Sequence, residues 1–448
     1  MDSQKCVALL TLIALERDSR SYQTAASLGR FGYRSIVVEG EPSELSREEL
    51  PFELVTVEGA VSLRATAGVP DAASDGSSDS ASGEPPTLRR RVLVSLPVPV
   101  ARLAIRLHRI WARGKSRLSV TLLRSFRRSN ELTYRSTPAA DLYYLTFFWQ
   151  FPAVWRRCER HGVGFIYDVN DAHWRWPSYQ WYPRLFRAFL RAVERRCVRR
   201  AAAFITVSDG VADLFERRYG RRPTVVRNLH DLRIDERVET DVRGSIGLSD
   251  DAFLLVVVGN DKPSDATGEA LEAMTKLPDR VHLALMGRGY EDRVPEIRRL
   301  GLERRVHLVP PVLPNEVTDA IRGADASLVN TRARDVHLHA LPTRLFSSVA
   351  AGLPILYPTL PEVKALAEDH ALGLQIDTED PESIASAVRD LSESPELVAA
   401  YRANVKQASR ILNWENEEAR IAEIVSGALG GPAMTPRQSE GRGVPLGR

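Results

Sequence analysis

Two short stretches of this chain hold side chains that can do chemistry. In the first, Tyr167-Asp-Val-Asn-Asp-Ala-His-Trp174, an apolar run ends in Asp168, Asn170, Asp171 and His173. Carboxylates can orient a hydroxyl, and an imidazole titrates near neutrality and can relay a proton. In the second, His337-Leu-His-Ala-Leu-Pro-Thr-Arg344, two histidines and an arginine lead into a helical pattern. Pro342 suits a first helical turn, where its missing N–H has no partner, and Gly352 before Leu353-Pro354 reads as a stop. Unpaired N–H groups and the positive end of the dipole meet at a helix amino end, so the loop His339–Leu341 should adjoin an anion site with the Arg344 fork beside it. A diphosphate suits such a place. Asp168 and Asp171 have no third carboxylate or imidazole spaced to complete a metal site, so no metal is expected.

Both stretches lie where a strand gives way to a loop. Lys5–Leu15 is apolar like a central parallel strand, Ser21–Arg30 has helical spacing, and Ser35–Glu39 returns to strand character. Leu142–Phe148 and Phe165–Val169 read as further strands. Leu185–Arg200 reads as an amphipathic helix with Phe186, Phe189, Leu190, Val193 and Cys197 on one face. Ala203–Val207 is again a strand, and Ser208 caps the next helix. After Thr224–Val226 comes a charged linker, His230–Asp251. A second series then runs from Phe253 to about Leu391 and two helices follow, Glu396–Ile411 and Glu415–Ala428. Two blocks of alternating elements predict an α/β protein with two doubly wound, Rossmann-like sheets, ligands at their carboxyl ends and a cleft between them. The expected domains are 1–235, with 65–86 as a disordered insertion too poor in large apolar residues to fold, and 252–412. Residues 413–429 form a last helix, and 430–448 a loose tail.

Bulk properties narrow the class. The 448 residues are 44% hydrophobic and 27% charged with a formal net charge of +3, as in an ordinary globular protein and unlike a nucleic-acid binder. Cys6, Cys158 and Cys197 show no metal or disulfide spacing, which points to a reducing cytoplasm. The apolar run Cys6–Leu15 is about half of what a membrane helix needs. Residues 87–140 hold thirteen Arg or Lys against the single acid Glu131. Within them, 98–128 either lies on an anionic bilayer or forms a helix with a solvated arginine face, and its arginine spacing favours the second. A dinucleotide-dependent dehydrogenase is excluded for want of G-x-G-x-x-G after the first strand.

Five landmarks come in order: Val256-Val-Val-Gly259-Asn260, Leu283-Ala-Leu-Met-Gly287-Arg-Gly289, Arg305-Val-His-Leu-Val-Pro310, Ala324-Asp325, and Leu341-Pro-Thr-Arg-Leu-Phe346 with Ala350-Ala-Gly352-Leu-Pro354. Together they resemble retaining glycosyltransferases of the GT-B fold, the family-4-like, group 1 type, over roughly Lys5 to Val425. The resemblance implies transfer of a sugar from a nucleotide-diphosphate sugar to a glycan or lipid-linked acceptor, with retention and without metal or other cofactor. It implies a role in polysaccharide biosynthesis in the cytoplasm and a last helix, 413–429, that crosses back to the first domain near Trp414; the bilayer alternative for 98–128 would add peripheral contact with the inner membrane face. The donor would be held by Gly259, Asn260, Lys262, Gly287, Arg288, Val309, Val312, His339, Leu341, Arg344, Leu345 and Ser347. Asn170, Asp171 and His173 would face the transferred sugar or acceptor, and Asp18-Ser-Arg20 occupies the family's Asp-x-Arg turn. Trp174, Trp176, Tyr179, Trp181 and Tyr182 either stack on sugars or fill core.

Departures from the family pattern are specific. The family's Glu-x7-Glu pair falls at His339 and Ser347, its His at Asn170, and a family Arg at Asp265, which shifts phosphate contact to Lys262. These losses leave open a second reading, a GT-B subunit without turnover that supports a partner glycosyltransferase.

Overall fold

The computed structural model describes residues 4–48, 50–57, 119–235, 237–313, 315–334 and 337–430. The 65–86 insertion, most of 98–128 and the tail beyond Gly430 lie outside them. The uninterrupted apolar runs became central strands because a parallel strand covered by helices on both faces has no solvent side to keep polar. Strands β1 (Cys6–Thr11) and β8 (Phe253–Val258) are buried along their whole length.

Around β1 stands a seven-stranded parallel sheet. Its other strands are β2 (Arg34–Glu39), β3 (Glu53–Thr56), β4 (Leu142–Leu145), β5 (Gly164–Val169), β6 (Ala203–Thr206) and β7 (Thr224–Val225), in the order β3-β2-β1-β4-β5-β6-β7. Around β8 stands a six-stranded one with β9 (Val281–Met286), β10 (Val306–Val309), β11 (Ala326–Leu328), β12 (Ile355–Pro358) and β13 (Gly373–Ile376), ordered β10-β9-β8-β11-β12-β13. The strand order reverses beside β1 and beside β8. In such sheets ligands bind outside the carboxyl ends at these switch points.

Edges differ from expectation where local signals are weak. The first strand stops at Thr11, because Leu15 starts a 3-10 turn and Asp18 caps the Ser19–Arg30 helix through the Ser21 N–H. β3 carries half-exposed positions and no alternating pattern, and sequence reading passed over it.

The last helix, Trp414–Ala428, packs on the first sheet although its predecessor, Pro395–Ser409, packs on the second. Trp414 is fully buried, donates its indole N–H to Ser27 Oγ at 2.8 Å and sits with Ile421, Ala422 and Val425 in the first-domain core. Glu418 on the same helix accepts from Ser27, Arg30 and Arg233. The chain thus passes between halves twice, between Val226 and Leu229 and between Leu412 and Trp414. The backbone N–H of Trp414 bonds the His230 carbonyl at 2.8 Å, tying the two crossings together.

Candidate functional site

The carboxyl ends of β8, β9 and β10 are knitted into one shelf. Gly259 N–H bonds Met286 O at 2.9 Å, Gly287 N–H bonds Val309 O at 3.1 Å, and Arg288 N–H bonds Asn260 Oδ1 at 3.0 Å. Gly287 has φ +154°, and a Cβ there would stand 2.3 Å from the Gly259 carbonyl oxygen. Its smallness therefore serves first the close approach of two loops of the chain itself, rather than only that of a ligand. The Asn260 side chain is used in the shelf. Lys262 and Arg288 are exposed beside it and have no carboxylate partner among the described residues. Val309 and Val312 are half-buried against the apolar cluster of Leu254 and Val256.

The second stretch becomes the Thr343–Ala350 helix, with Pro342 as an extended residue (φ −66°, ψ 136°) just before it rather than in its first turn. Among the described residues no side chain caps this amino end. Arg344 is not an open fork. Its Nη1 donates to Asn330 Oδ1 and its Nη2 donates to Asp265 Oδ2 at 2.8 Å, with Asp265 and Asn330 both buried. The guanidinium lies along Gly259, whose Cβ position is 3.7 Å from Nη2. The residue that replaces a family cation, Asp265, has become the counterion of the cation expected to meet phosphate. Leu345 is wholly buried and can offer a ligand only its backbone; Leu341 is half-buried against the same core. Ser347, half-buried one turn into the helix, leans its hydroxyl on Thr343 O at 3.5 Å. His337 is turned inward, its Nδ1 buried with no partner among the described residues, and burial lowers its pKa.

Across from this, the first domain presents the loop after β5. A narrow crevice is lined by Asp171, Ala172, Arg175, Trp176, Val211 and Leu214 from the first domain and by His339 and Ala340 from the second. His339 therefore faces the first domain and not the shelf. Its carbonyl accepts from Ser208 Oγ at 2.7 Å, and its ring lies against Gly210. Glu362, which no sequence signal singled out, reaches the same spot. Its carboxylate accepts the Gly210 N–H at the amino end of the Asp209–Tyr219 helix. A Cβ at Gly210 would fall 2.3 Å from Glu362 Oε1 and 2.4 Å from His339 Nδ1, so the two halves touch through this glycine. Asp171 is exposed at the mouth of the crevice, yet protein atoms crowd around its carboxyl, and that desolvation raises its pKa. His339 is shifted the other way, by burial and then by Arg175 and Arg217. Desolvation thus moves a carboxyl up and an imidazole down in one crevice, biasing both toward their neutral forms. Asn170, also in this loop, has its side-chain oxygen buried with no partner among the described residues.

His173 does not join them. It is buried in the first-domain core, stacked on Phe148 at 4.5 Å between ring centres, with Nδ1 3.5 Å from Glu194 Oε1. Glu194 accepts from Tyr167 at 3.3 Å and from Tyr219. His173 therefore supports the Asn170–Trp176 loop from below and cannot touch a substrate in the crevice. Asp168 is buried too, in a two-pronged pair with Arg20 (2.8 and 3.1 Å) that also takes the Tyr144 hydroxyl at 2.6 Å. Of the aromatics, Tyr179 and Tyr182 fill core, Trp176 lines the crevice and Trp181 is exposed. A surface hollow of about 440 Å³ beside Val238, Asp241 and Asp319 is lined by none of these groups and adjoins the amino end of β11 through Gly323, opposite the carboxyl ends.

Burial without a full counter-charge holds the Glu194 carboxyl up at about 8, against 4.5 ordinarily. Between these values the unfolded chain loses the proton and the folded chain keeps it, so folding stability falls as pH rises through this window. Glu194→Gln has no such proton. Its stability relative to the native protein should grow from about pH 4.5 to about pH 8 and stay level above, as read from urea midpoints across pH.

Comparison with known proteins agrees with this architecture. Residues 23–229 match the Glycosyl transferase 4-like domain and residues 252–394 match Glycosyl transferases group 1. A D-inositol 3-phosphate glycosyltransferase of Catenulispora acidiphila is 25% identical over 236 residues, which are 49% of this chain and 55% of that protein. One from Thermobispora bispora is 27% identical over 201 residues, 42% of this chain and 46% of that protein. The chain spans about half the length of the curated relatives it matches. Among solved structures, sucrose-phosphate synthase from Thermosynechococcus elongatus superposes with a TM-score of 0.67 at 13% identity, covering 95% of this chain and 100% of the other. Anabaena Alr3699/HepE in complex with UDP and glucose gives 0.61 at 15%, with 95% and 100% covered. WaaG, a glycosyltransferase involved in lipopolysaccharide biosynthesis, gives 0.59 at 16%, with 94% and 100% covered. The fold is GT-B.

Proposed function

From the premise that both halves of this chain are glycosyltransferase domains in a GT-B arrangement, we propose that it moves a sugar from a nucleotide-diphosphate sugar to a glycan or lipid-linked acceptor, with retention and without a metal. One observation carries the reading. The uncapped amino end of the Thr343–Ala350 helix stands beside the Gly259–Gly287 shelf at the switch point of the second sheet, and the loop before it reaches across to Asp171. Amide N–H groups of the helix start with Lys262 and Arg288 would meet the diphosphate, and the dipole would stabilise the charge that develops on the leaving group. Arg344 would share itself between Asp265 and phosphate. Asp171 and His339 would hold the acceptor hydroxyl and the transferred sugar, with Asn170 offering its free side-chain oxygen to a donor group.

Calorimetric titration with UDP, GDP and ADP tests the donor half, and hydrolysis or transfer of one nucleotide sugar tests turnover. Asp171→Asn and His339→Ala should each lower turnover by about 100-fold or more while leaving nucleoside diphosphate affinity unchanged, as loss of a proton-handling group does. An affinity that falls with turnover would move these residues to the donor side. The second reading, a scaffold subunit, draws on a specific observation, the neutralised Arg344 with acids absent at His339 and Ser347. Millimolar silence toward all three nucleotides would decide for it.

A further inference from the structure

One face of the first sheet is covered by helices of lopsided charge. The helix at 119–136, the Phe151–His161 helix and the Arg184–Arg200 helix pack their apolar sides (Leu122, Phe126, Val154, Phe186, Leu190) on one core. Together they carry fourteen arginines, four, three and seven in turn, against three glutamates, Glu131, Glu159 and Glu194. Glu194 is buried, and Glu131 is taken by Arg135 and Arg156. Twelve of the fourteen arginines have no carboxylate partner among the described residues. On the neighbouring Asp209–Tyr219 helix, by contrast, acids take up a nearby arginine, where Arg222 meets Asp209, Asp213 and Glu216. The solvent side of the Arg184–Arg200 helix shows Arg184, Arg191, Arg195, Arg196 and Arg199, with Ala188 and Ala192 between them. The chain's net charge of only +3 means that this concentration on one face is local.

The same layer is where apolar groups reach solvent. Of the five large hydrophobic side chains exposed among the described residues, Val120 (47%), Trp181 (51%) and Leu185 (76%) lie on these helices or at the start of the third. A patch that only had to stay soluble would gain nothing from an exposed indole and leucine beside it. Phosphate-rich headgroups over an apolar layer match both features, since guanidinium forks fit phosphate and Trp settles at the water–lipid boundary.

We propose that this arginine layer is a docking surface for an anionic phospholipid bilayer, with Trp181 and Leu185 entering the headgroup boundary. It deepens the lipid-linked arm of the proposed function, because it would set the first domain, which holds the Asp171 loop, against the source of a membrane-borne acceptor. The Arg184–Arg200 helix and its neighbours in the described chain make the contact without a spanning helix. None of the helices among the described residues is long and apolar enough to cross a membrane.

The test is co-sedimentation of the full chain with vesicles, scored without any sugar transfer, so its failure is separate from failure of the enzymatic reading. Phosphatidylcholine vesicles should capture little. Vesicles with about a third phosphatidylglycerol should capture the protein at low salt and release it at about 0.5 M salt, where the screening length is a few Å. The triple change Arg191→Gln, Arg195→Gln, Arg199→Gln should weaken binding by about 100-fold, near fivefold for each cation removed from the surface. Leu185→Glu should weaken it further at fixed salt. All four positions are exposed, so urea midpoints should stay with the native protein. Equal capture by neutral and anionic vesicles overturns the proposal, as does capture by neither, or binding of a single-stranded polynucleotide without binding of vesicles.

Discussion

Arg344→Ala should cost the protein about 3–5 kcal/mol of stability, because it strands a buried carboxylate. Asp265 is 2% exposed and has the Arg344 guanidinium at 2.8 Å as its counter-charge. Urea unfolding reads the loss. Arg344→Ala combined with Asp265→Ala should unfold at higher urea than Arg344→Ala alone, since the stranded charge is gone; independent, additive losses would refute the pairing. The donor role is read separately, by UDP titration of the variant at a temperature where it is folded. A drop of about 1.5–3 kcal/mol there is what a charge-assisted phosphate contact would lose. An unchanged affinity would leave Arg344 purely structural and hand the phosphate to the helix amides, Lys262 and Arg288.

A loss of similar size is expected from Trp414→Ala. The side chain is fully buried, large and hydrogen-bonded to Ser27, and truncating a buried Trp typically costs about 3–5 kcal/mol. The consequence is regional. With its anchor gone, the Trp414–Ala428 helix should detach from the first sheet before the second domain loosens. Limited proteolysis should therefore cut between about 410 and 428 at urea concentrations where the Phe253–Glu393 core is still protected. Simultaneous loss of protection everywhere would show that the helix is not a separate cooperative unit.

Much of this fold was legible in the chain, because β1 and β8 read as apolar runs and the Arg184–Arg200 helix reads as a 3.6-residue stripe. Those signals depend only on burial, which a linear pattern records. The expectation of two doubly wound sheets followed from them. What was not legible is pairing. Nothing in the spacing of Asp265 and Arg344, 79 residues apart, says that they neutralise each other, and nothing in Pro361-Glu362 says that this carboxylate sits on the first domain's Ser208–Gly210 helix start. His173 shows the same limit in reverse. An imidazole near two carboxylates in sequence looked like proton chemistry, yet its neighbours in space are Phe148 and Glu194. Asp171 and His339, 168 residues apart and called for different substrates, share one crevice.

The paired crossings limit how the halves can move. Because His230 and Trp414 are bonded backbone to backbone at 2.8 Å, both attachments pass through nearly one point, and a body held there can swing but cannot slide. Any turning of one half against the other is therefore centred near His230. Since His339 and Glu362 both rest on Gly210, a turn that lifts one of them from the first domain lifts the other with it.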